Sequence, residues 1–249
     1  MILRKIKGTL NTLFAAKFAN KDKYISYFKG KSGIEIGGPS GIFSSKGFLP
    51  VYPVLQSLDN CNFNNSTIWE GKLNEGQYFK FGKKTGFQYI REASELSGIA
   101  DESYDFLLSS HCLEHCANAI KTLKEWIRVV KKDGYLLIIL PNKDGTFDHN
   151  RLLTTLNHFI EDEVNNVKED DLTHLEEILA LHDLTMDRLA GTKENFIQRS
   201  LKNYENRCLH QHTFNKENFP ELIRYVGLEI LLQDFMTPFH LIILAKRID

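Results

Sequence analysis

The chain has 249 residues, of which 42% are hydrophobic and 25% charged, and its formal net charge at pH 7 is −1. This length suits one domain with a sizeable insertion, and the near-neutral charge gives no electrostatic reason to expect nucleic acid or an anionic membrane as a partner. The sequence contains no apolar run of about 18 residues, the length that a membrane-spanning helix needs, so we expect no membrane span.

The first 32 residues are basic and amphipathic, and they predict one or two helices that pack on the core. Lys7, Asn11 and Lys17 interrupt the apolar stretch that a secretory leader would need, so we do not interpret this segment as a signal peptide. A peripheral contact with a membrane surface is the alternative for this segment.

Four cysteines are spread along the chain, at Cys61, Cys112, Cys116 and Cys208. Cys112 and Cys116 are four positions apart, and no second pair completes a zinc framework. This pattern favours unpaired thiols in a reduced, cytoplasmic protein.

Seven short apolar runs predict strands, and their nearly continuous hydrophobicity is typical of parallel strands that are covered on both faces. In chain order they are 34–36, a run that ends at Asp59, 87–90, 104–110, 135–142, 228–235 and 240–248. Between the fourth and fifth runs, Ile120, Leu123 and Ile127 have helical spacing, and Gly134 suits the helix C-terminus. A second helix is predicted over 216–226.

Strands that alternate with helices predict an α/β fold with a mostly parallel sheet. The short link around Thr237 and Pro238 suits an antiparallel last pair of strands. We assign the whole chain to one domain, with its core at 33–147 and 212–249. Residues 148–211 are acidic, helix-prone and rich in histidine, and they predict a helical insert between strands 5 and 6, whereas 60–86 is expected to be irregular.

The first predicted strand runs into glycines, in the stretch GIEIGGPSG at 33–41. Such a turn at the carboxyl end of a strand can bring backbone N–H groups close to a ligand, although a plain tight turn is the alternative. Asp59 follows Gly37 by 22 residues, close to the roughly 20 that separate such a turn from a ribose-binding acid. A helix-capping or turn aspartate is the alternative there. The chain has no G-x-G-x-x-G motif, which argues against a dinucleotide.

The block from 91 to 142 carries further motifs. They are Glu92-Ala93 after the third strand, Tyr104-Asp105 at the start of the fourth, Leu113-Glu114-His115 after it and RVVKKDG at 128–134. With these motifs in this order, the chain resembles class I S-adenosyl-L-methionine (SAM)-dependent methyltransferases, in particular the group called methyltransferase type 11. The resemblance covers about 33–142 and resumes from 214 to the end. Pro39 departs from the family pattern, which has a glycine there.

The resemblance implies a Rossmann-like, seven-stranded sheet with an antiparallel last strand, and SAM as the cofactor. Glu35 is then expected to hold the ammonium of the methionine tail and Asp59 the ribose hydroxyls, while Glu92 or the backbone at Ala93 meets the adenine. The full expected cofactor-binding set is Glu35, Gly37, Gly38, Gly41, Asp59, Glu92, Ala93 and Ser110.

Histidine is the natural base near neutral pH for methyl transfer to a hydroxyl group. His111 and His115 flank the end of the fourth strand, and His158 in the insert is the third catalytic candidate. The substrate-binding candidates are Trp69, Arg151, His174, His182 and His212. A purely structural role is the alternative for each of them. The carboxylates of the insert lack the spacing of a known metal loop, so we expect no metal.

These patterns predict a methyltransferase acting on a small polar acceptor, with the insert closing over it as a lid. A hydroxyl of a sugar, a nucleotide sugar or a capsule or natural-product intermediate is the favoured acceptor. N- or C-methylation of a small metabolite is the first alternative, and a non-catalytic SAM-binding or interaction protein is the second. We expect no nucleic-acid partner, and the sequence leaves a homodimer open.

Overall fold

The structure is a computed structural model that describes residues 18–248. The predicted N-terminal helices therefore lie largely outside the described residues. Within the described part, helix α1 (Lys21–Ser26) buries Tyr24, whose hydroxyl donates a hydrogen bond to Asp234 near the other end of the chain. This contact fixes the start of the described chain against the sheet.

Ten strands make up the sheets of residues 18–248. They are β1 (Ser32–Ile36), β2 (Ser57–Asn62), β3 (Ser66–Thr67), β4 (Gly71–Lys72), β5 (Gly76–Phe81), β6 (Lys84–Ile90), β7 (Tyr104–Ser110), β8 (Val130–Pro141), β9 (Leu228–Met236) and β10 (His240–Arg247). Eight of them form one sheet in the order β5-β6-β2-β1-β7-β8-β10-β9, and β3 pairs with β4 in a separate ribbon.

The central strands β6, β2, β1, β7 and β8 run parallel, and β10 is antiparallel to both β8 and β9. The expected mostly parallel sheet with an antiparallel last strand is confirmed. The sheet has eight strands instead of seven because 76–81, expected to be irregular, pairs antiparallel with β6 at one edge. Since β10 runs in the opposite direction, its first residue, His240, lies at the edge where the parallel strands end.

Six further helices complete the described chain. They are α2 (Ala119–Val129), α3 (Leu156–Val164), α4 (Leu175–Leu181), α5 (Lys193–Leu201), α6 (Asn203–Asn206) and α7 (Asn218–Tyr225). Helices α3 to α6 fall between β8 and β9, in the segment that the sequence predicts to be helical. None of the helices within 18–248 is long and apolar enough to cross a membrane.

The two faces of the sheet are covered in different ways. On one face, α2 buries Ile120, Leu123 and Trp126 against the strands, as its helical spacing predicts. The helix ends at Val129, before the predicted Gly134, because Val130 takes an extended conformation and begins β8. On the other face, residues 42–55 form turns and a short 3₁₀ helix that bury their own apolar side chains, including Phe43 and Phe48, in a second core.

The second strand begins and ends later than the predicted run 51–59, since 52–54 form a 3₁₀ helix and the strand continues to Asn62. In its parallel pairing with β1, Asp59 lies opposite Ile34 and Cys61 lies opposite Ile36, so Asp59 is inside the strand. The expectation that Asp59 ends this strand is wrong, because Asn60 and Asn62 continue it with their backbones in the ladder and their side chains buried. Asn62 is the residue at its carboxyl end.

The close approach of β6 to β2 gives a test of the fold. A Cβ added at Gly86 in β6 would lie 1.7 Å from the carbonyl oxygen of Leu58 in β2. We therefore expect Gly86→Ala to force these strands apart and to lower the free energy of unfolding by about 1–3 kcal/mol, measured by urea denaturation. Lys83→Ala, at an exposed position of the preceding turn, is the matched control. Equal unfolding midpoints for the two variants would contradict this account.

Candidate active site at the carboxyl edge of the sheet

The glycine turn follows directly from β1. Gly37 has a φ of 80°, a conformation that favours glycine, and its N–H donates to the carbonyl oxygen of Cys61 at 2.8 Å. A Cβ at Gly37 would also meet the side chain of Cys112 at 3.2 Å. The Gly38–Pro39 peptide bond is cis. The backbone therefore bends sharply at the edge where the parallel strands end, as the sequence predicts.

Glu35 lies beneath this turn and is fully buried. Its Oε1 accepts a hydrogen bond from the Ser40 N–H at 2.9 Å, and its Oε2 accepts one from the Tyr52 hydroxyl. Burial raises the pKa of Glu35 to about 8, against the opposing effect of these two donors. A Cβ at Gly38 would lie 2.3 Å from the Glu35 carboxyl carbon, so the glycine is required by Glu35 itself. The expected contact of Glu35 with an ammonium group stays a prediction.

Two buried asparagines of β2 hold the turn from the other side. The Gly38 N–H donates to Asn60 Oδ1, and the side-chain amides of Asn60 and Asn62 both donate to the Gly38 carbonyl oxygen, all at 3.0–3.1 Å. Asn62 Oδ1 is buried and has no hydrogen-bond partner within residues 18–248. The sequence analysis did not select Asn62, although a strand three residues longer would have placed it at the strand end.

The Asp59 carboxylate accepts hydrogen bonds from other strands of the sheet. Its Oδ1 accepts the Phe87 N–H and its Oδ2 accepts the Tyr104 hydroxyl, each at 2.8 Å, so it joins β2 to β6 and β7. The structure therefore does not place Asp59 at the edge as expected for a ribose ligand. Burial and the neighbouring Asp59 carboxylate raise the pKa of Tyr104, which keeps this phenol a hydrogen-bond donor.

The predicted adenine-side residues contact other parts of the protein. Glu92 accepts a hydrogen bond from Arg207 of the insert at 2.6 Å, and the Arg207 guanidinium lies 5.0 Å from the centre of the Phe63 ring. The Ala93 carbonyl oxygen accepts the Trp126 indole N–H at 3.0 Å. The insert thus reaches across the edge of the sheet to the ends of β2 and β6.

The remaining predicted cofactor residues, Gly41 and Ser110, lie at the same edge. Gly41 is exposed in the turn, where its carbonyl oxygen accepts the Ser44 hydroxyl at 2.8 Å, and Ser110 is half-buried at the end of β7. Two cavities, of about 310 and 350 Å³, lie elsewhere, one beside α7 and β9 and the other beside Phe18 and β9.

His111 is the residue that follows β7, and it has a φ of 54°. Its Nε2 lies 2.9 Å from His240 Nδ1, and its Nδ1 lies 3.5 Å from Glu114 Oε1. Glu114 is fully buried, and neither of its carboxylate oxygens makes a hydrogen bond within the described chain. Burial alone would raise its pKa, but His111 and His115 outweigh that effect and lower it, so Glu114 is a buried anion.

His115, Arg151 and their neighbours form a second buried group. His115 Nδ1 lies 2.9 Å from the Leu209 carbonyl oxygen, and burial lowers its pKa to about 4, so this imidazole is neutral. Arg151 is buried and donates to Asp148 at 3.1 Å and to the His210 carbonyl oxygen at 2.7 Å. These contacts give His115 and Arg151 structural partners, and their predicted roles in chemistry and substrate binding stay predictions.

The other insert candidates separate into two places. His158, His174 and His212 lie together, with 3.0 Å between Nε2 of His158 and Nε2 of His174. His182 lies apart from them, stacked between the rings of Phe147 and Phe196 with centroid distances of 4.3 Å. Trp69 is 41% exposed beside Phe63, on the β3–β4 ribbon side of the molecule.

Comparison with known proteins agrees with this geometry. Residues 59–138, from within β2 to within β8, match the sequence model of a family described as "Methyltransferase domain". A SAM-dependent methyltransferase from Aquifex aeolicus is 13% identical with a TM-score of 0.51, and the match covers 98% of this chain and 97% of that one. One from Methanosarcina mazei is 17% identical with a TM-score of 0.51, covering 90% and 96%. No curated protein matches the chain.

The sheet order and the bent glycine turn at its carboxyl edge define a class I methyltransferase fold. Residues 59–138 match a methyltransferase domain, and the fold of the described chain is that of SAM-dependent methyltransferases.

Glu35 makes the stability of the cofactor-free protein depend on pH. Its pKa is about 8 when folded and 4.5 ordinarily, so the folded protein keeps a proton that the unfolded chain releases between these values. Stability should fall as pH rises through this interval, by up to ~1.4 kcal/mol for each pH unit. Glu35→Gln should remove this slope in urea titrations at several pH values, whereas Glu176→Gln, at an exposed position, should keep it. A slope unchanged by Glu35→Gln would refute the assignment.

Proposed function

We propose that this protein transfers the methyl group of SAM to a hydroxyl group of a small polar acceptor, with His111 as the base. The observation that carries the proposal is the position of His111, which ends β7 beside the buried Glu114 carboxylate at the edge of the sheet. A sugar or a nucleotide sugar is the acceptor class we favour, because the net charge is close to zero and the insert presents many polar side chains.

The residues at this edge fit the cofactor. The Gly37 turn exposes backbone where a side chain would interfere, and the unpartnered Asn62 Oδ1 at the end of β2 can accept a ribose hydroxyl. Asn62 therefore replaces Asp59 in our assignment. Glu92, after β6, is placed to meet the adenine amino group once Arg207 gives up part of its contact. When bound, SAM supplies a methyl group on a positively charged sulfur.

His111 has the neighbours that a general base needs. Burial lowers the pKa of His240 to about 3, so His240 is a neutral ring, and its Nδ1 lies 2.9 Å from Nε2 of His111. In the base form, Nδ1 of His111 carries the ring proton towards the Glu114 carboxylate, and Nε2 takes the proton of the acceptor hydroxyl when the acceptor displaces the contact with His240. The imidazolium that forms lies 3.5 Å from the Glu114 carboxylate, which stabilises its charge. The His111 side chain is 34% exposed, so an acceptor can reach it.

The insert serves as the cover of this site in our proposal. Arg207 contacts Glu92 and Phe63 on the adenine side. The backbone N–H of His212, the residue that follows the insert, donates to the backbone carbonyl oxygen of Glu114 at 3.2 Å, so the insert ends beside the neighbour of the base. A cover of this kind would exclude water and orient the acceptor.

Cofactor binding tests the assignment of Asn62. We expect calorimetry to show that wild type binds S-adenosylhomocysteine and that Asn62→Ala binds it about tenfold more weakly, since one hydrogen bond contributes about 0.5–1.5 kcal/mol. Asp59→Asn keeps an acceptor for the Phe87 N–H and should bind as wild type does. The reverse order of the two variants would return the ribose contact to Asp59. Binding by neither variant nor wild type would favour an interaction protein.

Turnover tests the role of His111. Nucleotide sugars and small alcohols would be screened with labelled SAM, and the methylated atom identified by mass spectrometry and NMR. For a hydroxyl acceptor, His111→Gln should lower kcat by about 10²–10⁴-fold while S-adenosylhomocysteine affinity is kept. His149→Gln, in the insert, is the matched control. Methylation at nitrogen or carbon, or a rate unchanged by His111→Gln, would overturn the O-methyltransferase proposal.

A further inference from the structure

Four metal-binding side chains converge in the insert, although the sequence shows no metal loop. His158 and Asp162 come from α3, His174 directly precedes α4, and His212 lies in the segment before α7. We propose that His158, Asp162, His174 and His212 form a structural site for one Zn²⁺ ion. The proposal is independent of the methyl-transfer chemistry above.

Three distances within this group are close to those around a single tetrahedral ion. Nε2 of His158 lies 3.0 Å from Nε2 of His174 and 3.5 Å from Asp162 Oδ2, and Nε2 of His212 lies 3.8 Å from the same oxygen. Zinc binds imidazole nitrogen at about 2.0–2.1 Å, so ligand atoms on a tetrahedral ion are roughly 3.3–3.4 Å apart. The three separations lie on both sides of this value. Ligand atoms of His158, Asp162 and His212 all lie within 4.8 Å of one another, and His174 joins them through its contact with His158.

Asp162 supplies the second, independent observation. Its Oδ2 is buried, lies within 4 Å of the His158 and His212 imidazoles and has no hydrogen-bond partner within residues 18–248. A buried carboxylate oxygen without a hydrogen bond is costly. Asp171 and Glu161 add further negative charge around it. A divalent cation bound at Oδ2 would compensate this charge.

The outer contact of His174 favours an imidazole with Nε2 free for the ion. Nδ1 of His174 lies 3.7 Å from Glu177 Oε2, and Glu177 in turn lies 3.3 Å from the Arg151 guanidinium. A carboxylate on the far nitrogen of a metal-binding histidine is the usual way to fix its tautomer. His212 Nε2 also lies 3.3 Å from the Ala117 carbonyl oxygen, and as a ligand it gives up this long contact while its unpartnered Nδ1 carries the proton.

Three imidazoles and one carboxylate form a complete ligand set for Zn²⁺, with no position left for a reacting water. His158 and Asp162 are four residues apart on one face of α3, while the other two ligands come from separate segments. The ion would therefore bind α3, the start of α4 and residue 212 into one unit. The backbone N–H of His212 also donates to the backbone carbonyl oxygen of Glu114. The metal site would therefore be connected to the residue beside His111 in the methyl-transfer site.

A second group, Glu114, His115 and His210, also brings three metal-binding side chains together. We assign it to the methyl-transfer site, since Glu114 pairs with His111. The experiment must therefore distinguish the two groups.

The test uses the full-length protein, freed of metal by a chelator and then titrated with Zn²⁺ or Co²⁺. We expect one equivalent to bind, the Co²⁺ form to show the intense visible absorption of tetrahedral coordination, and Zn²⁺ to raise the Tm. Asp162→Asn and His158→Ala should each weaken binding by roughly 100-fold or more and abolish the rise in Tm. His149→Gln, outside the group, should bind as wild type does.

Three results would overturn the site: no binding of one equivalent, octahedral Co²⁺ absorption, or binding that persists in His158→Ala but is lost in His210→Gln. Misfolding of a variant is excluded by its S-adenosylhomocysteine affinity, which should match that of metal-free wild type. That measurement also separates the two proposals, because loss of Zn²⁺ binding with cofactor affinity intact bears on the metal site alone.

Discussion

The carboxyl group of Glu35 occupies the space beside Gly38 that any side chain at that position would need. From there it accepts hydrogen bonds from Ser40 and Tyr52, while Asn60 and Asn62 hold the same turn from the second strand. The bend after β1 is thus fixed from below and from the side before any ligand arrives. The ends of β2, β6 and β7 lie at the same edge of the sheet as this turn. Glu35 therefore determines where the backbone of the turn has no side chain over it and which side chains lie around it.

The methyl-transfer site depends on the same alignment. His111 ends β7, and the antiparallel direction of β10 brings His240 to the same edge, where the two rings are in contact. Glu114 then lies beneath His111 as an anion in the protein interior. The place of the proposed base, between the His240 ring and the buried Glu114 carboxylate, is therefore a consequence of strand order.

The sequence predicted the parallel sheet, the antiparallel last pair and the helical segment before β9, because each has a strong local pattern of hydrophobic residues. The prediction was wrong at the end of β2. The charged Asp59 suggested that the strand ends there, but Asn60 and Asn62 continue the strand with buried side-chain amides. Burial of asparagine is set by partners such as Gln88, which is distant in sequence. Edge strand β5 was missed for a related reason, since its apolar residues pack on one face only.

Candidate histidines were found by residue type, but their grouping was not. His158 and Asp162 share a helical face, which local spacing reveals, whereas the approach of His174 and His212 depends on how α4 and the segment before α7 pack. His182 has helical spacing to His174, yet α4 ends between them and the ring of His182 turns to Phe147 and Phe196. Clusters built from three segments leave no pattern in a single sequence.

The outer position of β5 affects how copies of the protein meet. An unpaired strand edge exposes backbone groups that could extend the sheet into a second molecule. Here Lys80 and Lys83 are exposed on β5 and on the turn that follows it. Lateral pairing of two such edges would bring their ammonium groups together in a poorly hydrated seam, and the repulsion opposes open-ended strand association at high protein concentration.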